Sequence, residues 1–190
     1  MCGDKGRETP CIALLLSYQC RPRQRRSKIN ATTCALPIAV ARRLQSLRAA
    51  DLPLAVYGDL WSGLVPDEVV RGRSVPNDAL AAAYGSAGVV LNDHHDDMRR
   101  DGFLANRLFD VTACAARLVT DEIDGLADVF GDVVKTFHDE TEMGPLLADP
   151  ASAFAPREVR VALAETVMRE HSFDHRAEVL LDDAARYLAR

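Results

Sequence analysis

The sequence predicts an α/β fold: a parallel sheet with helices on both faces, followed by C-terminal helices. Two observations carry this. Short unbroken apolar runs, such as Leu54-Ala-Val-Tyr57 and Val89-Val-Leu91, alternate with stretches whose apolar residues recur at helical spacing. A strand that is apolar on both sides must be covered on both sides, as crossover helices cover a parallel sheet. Right-handed crossovers then give a Rossmann-like layered structure.

Taken in order, Ala39 to Ala50 reads as a helix, with Val40, Leu44 and Leu47 on one face, and Asp51-Leu-Pro53 breaks it. Leu54–Tyr57, closed by Gly58, is a buried strand. Residues 59–76 carry two glycines and two prolines and read as loop, with a short strand near Val69. Asn77 is placed to cap a helix over Asp78 to Ser86, and Gly88 to Leu91 is the next strand. Asn92 to Gly102 reads as a polar loop and Leu104 to Ala115 as a helix, followed by a strand at Leu118–Thr120. Asp121 or Glu122 opens a helix ending near Gly131, and Val133 to Phe137 is a further strand. Residues 156–171 and 174–189 form the final helices, the second with Leu180, Leu181, Ala184, Ala185 and Leu188 on one face.

Composition is that of a globular protein, 48% apolar and 27% charged. No apolar run approaches the roughly 18–20 residues of a membrane-spanning helix. Cys11 to Leu16 is too short for a signal peptide and leads into Arg21-Pro-Arg-Gln-Arg-Arg26, so the chain is read as cytoplasmic.

The head differs from the rest. Residues 1–38 hold seven Lys/Arg and two Asp/Glu, a net of +5, against 16 basic and 26 acidic residues thereafter, a net of −10. Cys2, Cys11, Cys20 and Cys34 lie in the head and only Cys114 beyond it. Zinc binding lacks a CxxC pair and a histidine there. Nucleic-acid binding through Arg21 to Lys28 lacks aromatics, and no nucleic-acid partner is expected. Thr33-Cys34-Ala-Leu-Pro-Ile38 resembles a translated sequencing-library adapter. Residues 1–38 are therefore read as a non-native or disordered head whose deletion leaves thermal stability unchanged or improved. Residues 39–190 are read as a Rossmann-like domain incomplete at its N-terminal end.

In such sheets ligands bind beyond the carboxyl ends of the strands. That places the site after Leu91 and after Thr120. There Gly102 precedes a helix beginning near Asn106, whose open amides and positive end suit an anion, with Arg107 as a charged fork. Asp110, one turn deeper on the same face, can accept hydrogen bonds from two ribose hydroxyls. Residue types alone leave surface charge as the commoner role for Arg107 and Asp110.

The run Tyr84-Gly-Ser-Ala-Gly-Val-Val-Leu-Asn-Asp-His94, then Asn106-Arg-Leu-Phe-Asp-Val-Thr-Ala-Cys114, then Leu118-Val-Thr-Asp121 resembles the signature of group 1 glycosyltransferases. The likeness is to the branch related to the spore maturation protein B-like family, and His171-Ser-Phe-Asp-His-Arg176 resembles the opening of that family's last helix. The resemblance implies the C-terminal half of a GT-B fold, binding a nucleotide-diphosphate sugar donor for transfer to a glycosyl acceptor that the sequence does not identify. It implies that Asp110 contacts the donor ribose and that Asn106 and Arg107 face the diphosphate or sugar. Asp101 and Gly102 match an acid and a glycine before that helix, the interval from Asp101 to Asp110 being one residue wider than usual. It implies no metal or cofactor, helix dipoles and basic side chains stabilising the departing diphosphate. The N-terminal acceptor domain is missing from this reading, so the fragment alone is expected to be inactive.

The chain departs from the family pattern at Ala115, usually glycine, and Arg117, usually proline. If the glycine normally ends the helix with positive φ, alanine costs on the order of 1 kcal/mol or more there. Asp93-His-His-Asp-Asp97 reads as a solvated loop edging the donor pocket, with His94 or His95 near the donor and no metal spacing. Cys114 reads as an inert buried thiol, and Trp61 as a core or rim aromatic. The alternative function is a non-catalytic Rossmann-like nucleotide- or partner-binding module. A dinucleotide oxidoreductase comes third, since no GxGxxG follows a strand.

Overall fold

The computed structural model describes residues 12–15, 53–58, 61 and 63–189. Six parallel strands form one sheet: β1 (Ile12–Leu15), β2 (Leu54–Tyr57), β3 (Val70–Gly72), β4 (Val89–Leu91), β5 (Leu118–Asp121) and β6 (Lys135–Phe137). Their order is 3-2-1-4-5-6. That is the doubly wound Rossmann arrangement, whose direction reverses between β1 and β4. The helices are α1 (Asn77–Ser86), α2 (Asp96–Asp101), α3 (Asn106–Ala113), α4 (Leu126–Phe130), α5 (Glu140–Ala148), α6 (Pro150–Ala153), α7 (Arg157–Glu170) and α8 (Phe173–Leu188), with a 3-10 turn at Asp67–Val69.

The strands bury alternate side chains into two cores. Val89, Leu91 and Val119 face Trp61, Met143, Leu147 and Phe154 on one side. Val90 and Leu118 face Tyr84 of α1, Leu108 and Val111 of α3, Phe130 of α4 and Val167 of α7 on the other. Every residue of β4 and β5 is buried. This is why their sequences are apolar without alternation.

The expected boundary at residue 38 is not where the sheet begins. Ile12–Leu15, inside the segment set apart as a head, pair with Leu54–Tyr57 on one side and, through Leu14, with Val89–Leu91 on the other. The expected helix at 39–50 lies outside the described residues.

Other differences have local causes. Pro76, with φ −56° and ψ 147°, takes the N-cap position of α1, so Asn77 is its first helical residue. α2 forms inside the stretch read as loop. It buries nothing and is held by Asp96 and Asp97 in its first turn, paired with Arg99 and Arg100 one turn on. Five of its six residues are charged, and Met98 alone gives no apolar period to read. β5 runs on to Asp121, and α4 starts only at Leu126. α5 and α6 were not anticipated from sequence; Asp139 caps α5 by accepting from the Thr141 amide at 2.8 Å. The apolar stripe of α8 is largely exposed, Leu180 and Leu181 at 69% and Leu188 at 83%.

α3 ends in a Schellman motif, with the Ala115 amide on the Thr112 carbonyl at 2.8 Å and the Ala116 amide on Val111 at 3.3 Å. Ala115 sits at φ 52°, the one non-glycine residue with positive φ among those described. A Cβ in that region costs roughly 1–2 kcal/mol. Replacing Ala115 by Gly relieves this but loosens the unfolded chain and removes a buried methyl. Ala115→Gly is expected to raise stability by about 0.5–1 kcal/mol in urea unfolding. A loss of stability would show that the methyl's packing outweighs the backbone strain.

Candidate functional site at the carboxyl ends of β4 and β5

The chain leaves β4 at Asn92 and passes through α2 before entering α3. Gly102, at φ 64°, closes α2 with its amide on Arg99 and the Phe103 amide on Met98 at 2.8 Å. Gly102 is thus explained by the turn it makes. A Cβ there would meet nothing within 4 Å, so the requirement is the backbone angle and not space. Asp101 is exposed and paired with Arg100 at 2.9 Å.

α3 begins with Ala105 at its N-cap, a residue that offers no side-chain acceptor to the first-turn amides. Asn106 and Asp110 are exposed on this helix. Arg107 is partly buried and hydrogen-bonded to Tyr84 of α1. Burial pushes its pKa down, against the influence of Tyr84 and Asp110. Partial desolvation of the carboxyl against its neighbours raises Asp110 above its ordinary value, with Arg107 pulling the other way. The structure brings Arg107 and Asp110 together, as one helical turn predicts, and turns the guanidinium toward Tyr84. Cys114, just past α3, is a partly buried free thiol whose pKa burial raises, with Asp110 adding to the shift.

His94 is enclosed within the fold. It is 1% exposed. Its Nδ1 is 2.7 Å from Oδ1 of Asp121, and its backbone amide donates to the same oxygen at 2.9 Å. Its Nε2 accepts from the Ala105 amide at 3.2 Å. Because a backbone N–H can only donate, Nε2 carries no proton and the ring proton sits on Nδ1, pointing at Asp121. Thr120 donates to Asp121 Oδ1 at 3.1 Å and accepts from Asn92 at 3.0 Å. Arg99 donates to Asp121 Oδ2 at 3.1 Å and also pairs with Asp96. Burial by itself would raise the Asp121 carboxyl, but the His94 hydrogen bonds and the Arg99 charge outweigh it and hold the pKa below the usual aspartate value.

Beyond this network opens a cleft of about 350 Å³ lined by Arg99, Asp121, Glu122, Ile123, Asp124, Phe137 and His138. His138 is exposed, and its hydrogen bond to Glu142, together with the charges of Glu122 and Glu142, raises its pKa. Sequence reasoning assigned no role to Arg99, Asp121 or His138. The signal for Asp121 is a carboxylate ending an otherwise apolar strand, a position that also fits a helix start. Trp61 is a core residue, 5% exposed, whose indole Nε1 has no hydrogen-bond partner among the described residues. Among the described residues no group of three or more His, Cys, Asp or Glu is arranged to hold a metal ion. Among them, too, no helix is long and apolar enough to cross a membrane.

Comparison with known proteins puts a family on this geometry. No curated protein matches the chain. Among solved structures, one titled "Crystal structure of GtfA/B complex" is similar at 12% identity and a TM-score of 0.47. The match covers 96% of this chain and 37% of that one, so the present chain spans little more than a third of its length. A family model described as glycosyl transferase-like matches residues 38–182. The stretch runs from before β2 into α8 and takes in the whole β4–α3–β5 site. The chain belongs to the glycosyl transferase-like family.

Proposed function

We propose that this domain binds a nucleotide-diphosphate sugar as the donor half of a GT-B glycosyltransferase, in the branch related to the spore maturation protein B-like family. The acceptor would be held by a second, N-terminal domain. The observation that carries this reading is the start of α3. Its first-turn amides have no side-chain cap, they sit at the carboxyl edge of a 3-2-1-4-5-6 sheet, and Asn106 and Asp110 are exposed beside them. A diphosphate would complete the open amides, and the helix dipole would favour its charge as the glycosyl bond breaks. Asp110 would accept from ribose hydroxyls, and Asn106 would face the diphosphate or sugar. Arg107 would act from beside Tyr84 as a fixed positive charge near that position. Asp101 and Gly102 would shape the approach to α3, and the donor site would work without a metal in the cytoplasm.

The test is calorimetric titration with UDP, GDP, ADP and dTDP. The full chain is expected to bind at least one of them. Asp110→Ala is expected to weaken that binding about tenfold or more, the loss of hydrogen bonds to a charged group. Asn106→Ala should weaken it by about threefold to tenfold. Both residues are exposed, so melting temperatures should hold within about 2 °C. Unchanged affinity in both variants, or no binding by the parent chain, would remove this assignment.

A further inference from the structure

We propose that His94 is a positioning residue for the donor site: its unprotonated Nε2 anchors the start of α3, and Asp121 sets which nitrogen does so. The inference rests on the donor-site reading above and deepens it. His94 comes from the loop after β4, Asp121 ends β5, and Ala105 caps α3. One ring with two nitrogens therefore ties three elements together at the edge where the donor is held. The two contacts need opposite chemistry. Asp121 Oδ1 must receive a proton, and the Ala105 amide must give one. A neutral imidazole in a single tautomer meets both demands, and the side chain is too buried for water to substitute.

Asp121 enforces that tautomer. Its Oδ1 already takes the His94 amide and the Thr120 hydroxyl, and its Oδ2 takes Arg99, so it is held as an acceptor facing Nδ1. The proton cannot leave Nδ1 for Nε2 without setting two donors against each other at Ala105. The first-turn amides of α3 inherit this placement because Ala105 is the residue from which they continue. A shift of the helix start would move the anion-binding amides without touching Asn106 or Asp110.

Two conservative variants separate the ring's two jobs. His94→Gln can place a carbonyl oxygen where Nε2 stood and accept from Ala105. His94→Asn can place an amide N–H where Nδ1 stood, serving Asp121 and leaving the Ala105 amide unbonded. Both are titrated with UDP, GDP, ADP and dTDP at a temperature where every variant is folded. His94→Asn is expected to lose about tenfold in affinity while His94→Gln stays within about threefold of the parent chain. Equal affinity in the two variants would overturn the inference while the donor reading stands. No binding by the parent chain would overturn both. If neither variant folds, imidazole nitrogen shifts of the parent chain decide the matter. A bare Nε2, together with an Ala105 amide that moves on nucleotide saturation, supports the assignment. A proton on Nε2 or an unmoved amide overturns it.

Discussion

Deleting residues 1–38 is expected to abolish the cooperative thermal transition of this domain. The four residues Ile12–Leu15 form β1, and β1 is an interior strand, hydrogen-bonded to β2 on one side and β4 on the other. Without it the sheet falls into a β2–β3 pair and a β4–β5–β6 set, each with a newly open edge of unpaired amides and carbonyls. Each ladder bond is worth only about 1 kcal/mol net. Two ladders together with the sheet's continuity approach the roughly 5–15 kcal/mol that holds a whole domain. Scanning calorimetry of residues 39–190 against the full chain gives the answer. Loss of the transition supports β1 as part of the fold. A truncated domain melting within about 2 °C of the full chain would mean that the sheet closes without Ile12–Leu15, and it would return the boundary to residue 38, where the family match also begins.

Asp121→Ala is expected to destabilise the chain by about 2–4 kcal/mol at pH 7, since two buried donors of His94 lose their acceptor at about 1–3 kcal/mol each. The substitution leaves a buried His94 amide and ring proton without an acceptor and frees Arg99 from its inner contact. Asp121→Asn, which keeps the shape, should fall between the two. The pH dependence has a fixed sign. The folded pKa of Asp121 lies below its ordinary value, so its contribution is fully present above the unfolded pKa of about 3.9 and is lost as pH falls through the folded pKa. Urea unfolding at pH 7 and at pH 3 should therefore show the gap between parent and Asp121→Ala narrowing in acid. A gap that is constant with pH would assign the loss to packing and not to the carboxylate.

The strands were legible where burial on both faces leaves a short apolar run, as at Leu54–Tyr57 and Val89–Leu91. α3 and α7 were legible because each lays an apolar stripe on the sheet or on the other. α2 was not, since charge pairing with no buried face leaves no period to detect. The leucines of α8 showed the reverse failure. A helical stripe was correctly read, but a stripe alone cannot say whether anything covers it, and here the residues are exposed.

The strained cap at Ala115 shows how far local pattern reaches. Resemblance marked the position as one that usually holds glycine, and the observed φ of 52° supplies the reason. What the sequence alone determined was local: parallel strands and their helices, and the segment around Asn106, Arg107 and Asp110 that a single helix turn brings together. Tertiary structure decided everything that joins residues distant in the chain. It put Ile12–Leu15 into the middle of the sheet, turned Arg107 toward Tyr84, and closed His94 between Asp121 and Ala105. Side-chain spacing within one element follows from the geometry of helix and strand. The partner of a buried polar group depends on which elements pack together, and no local pattern encodes that choice.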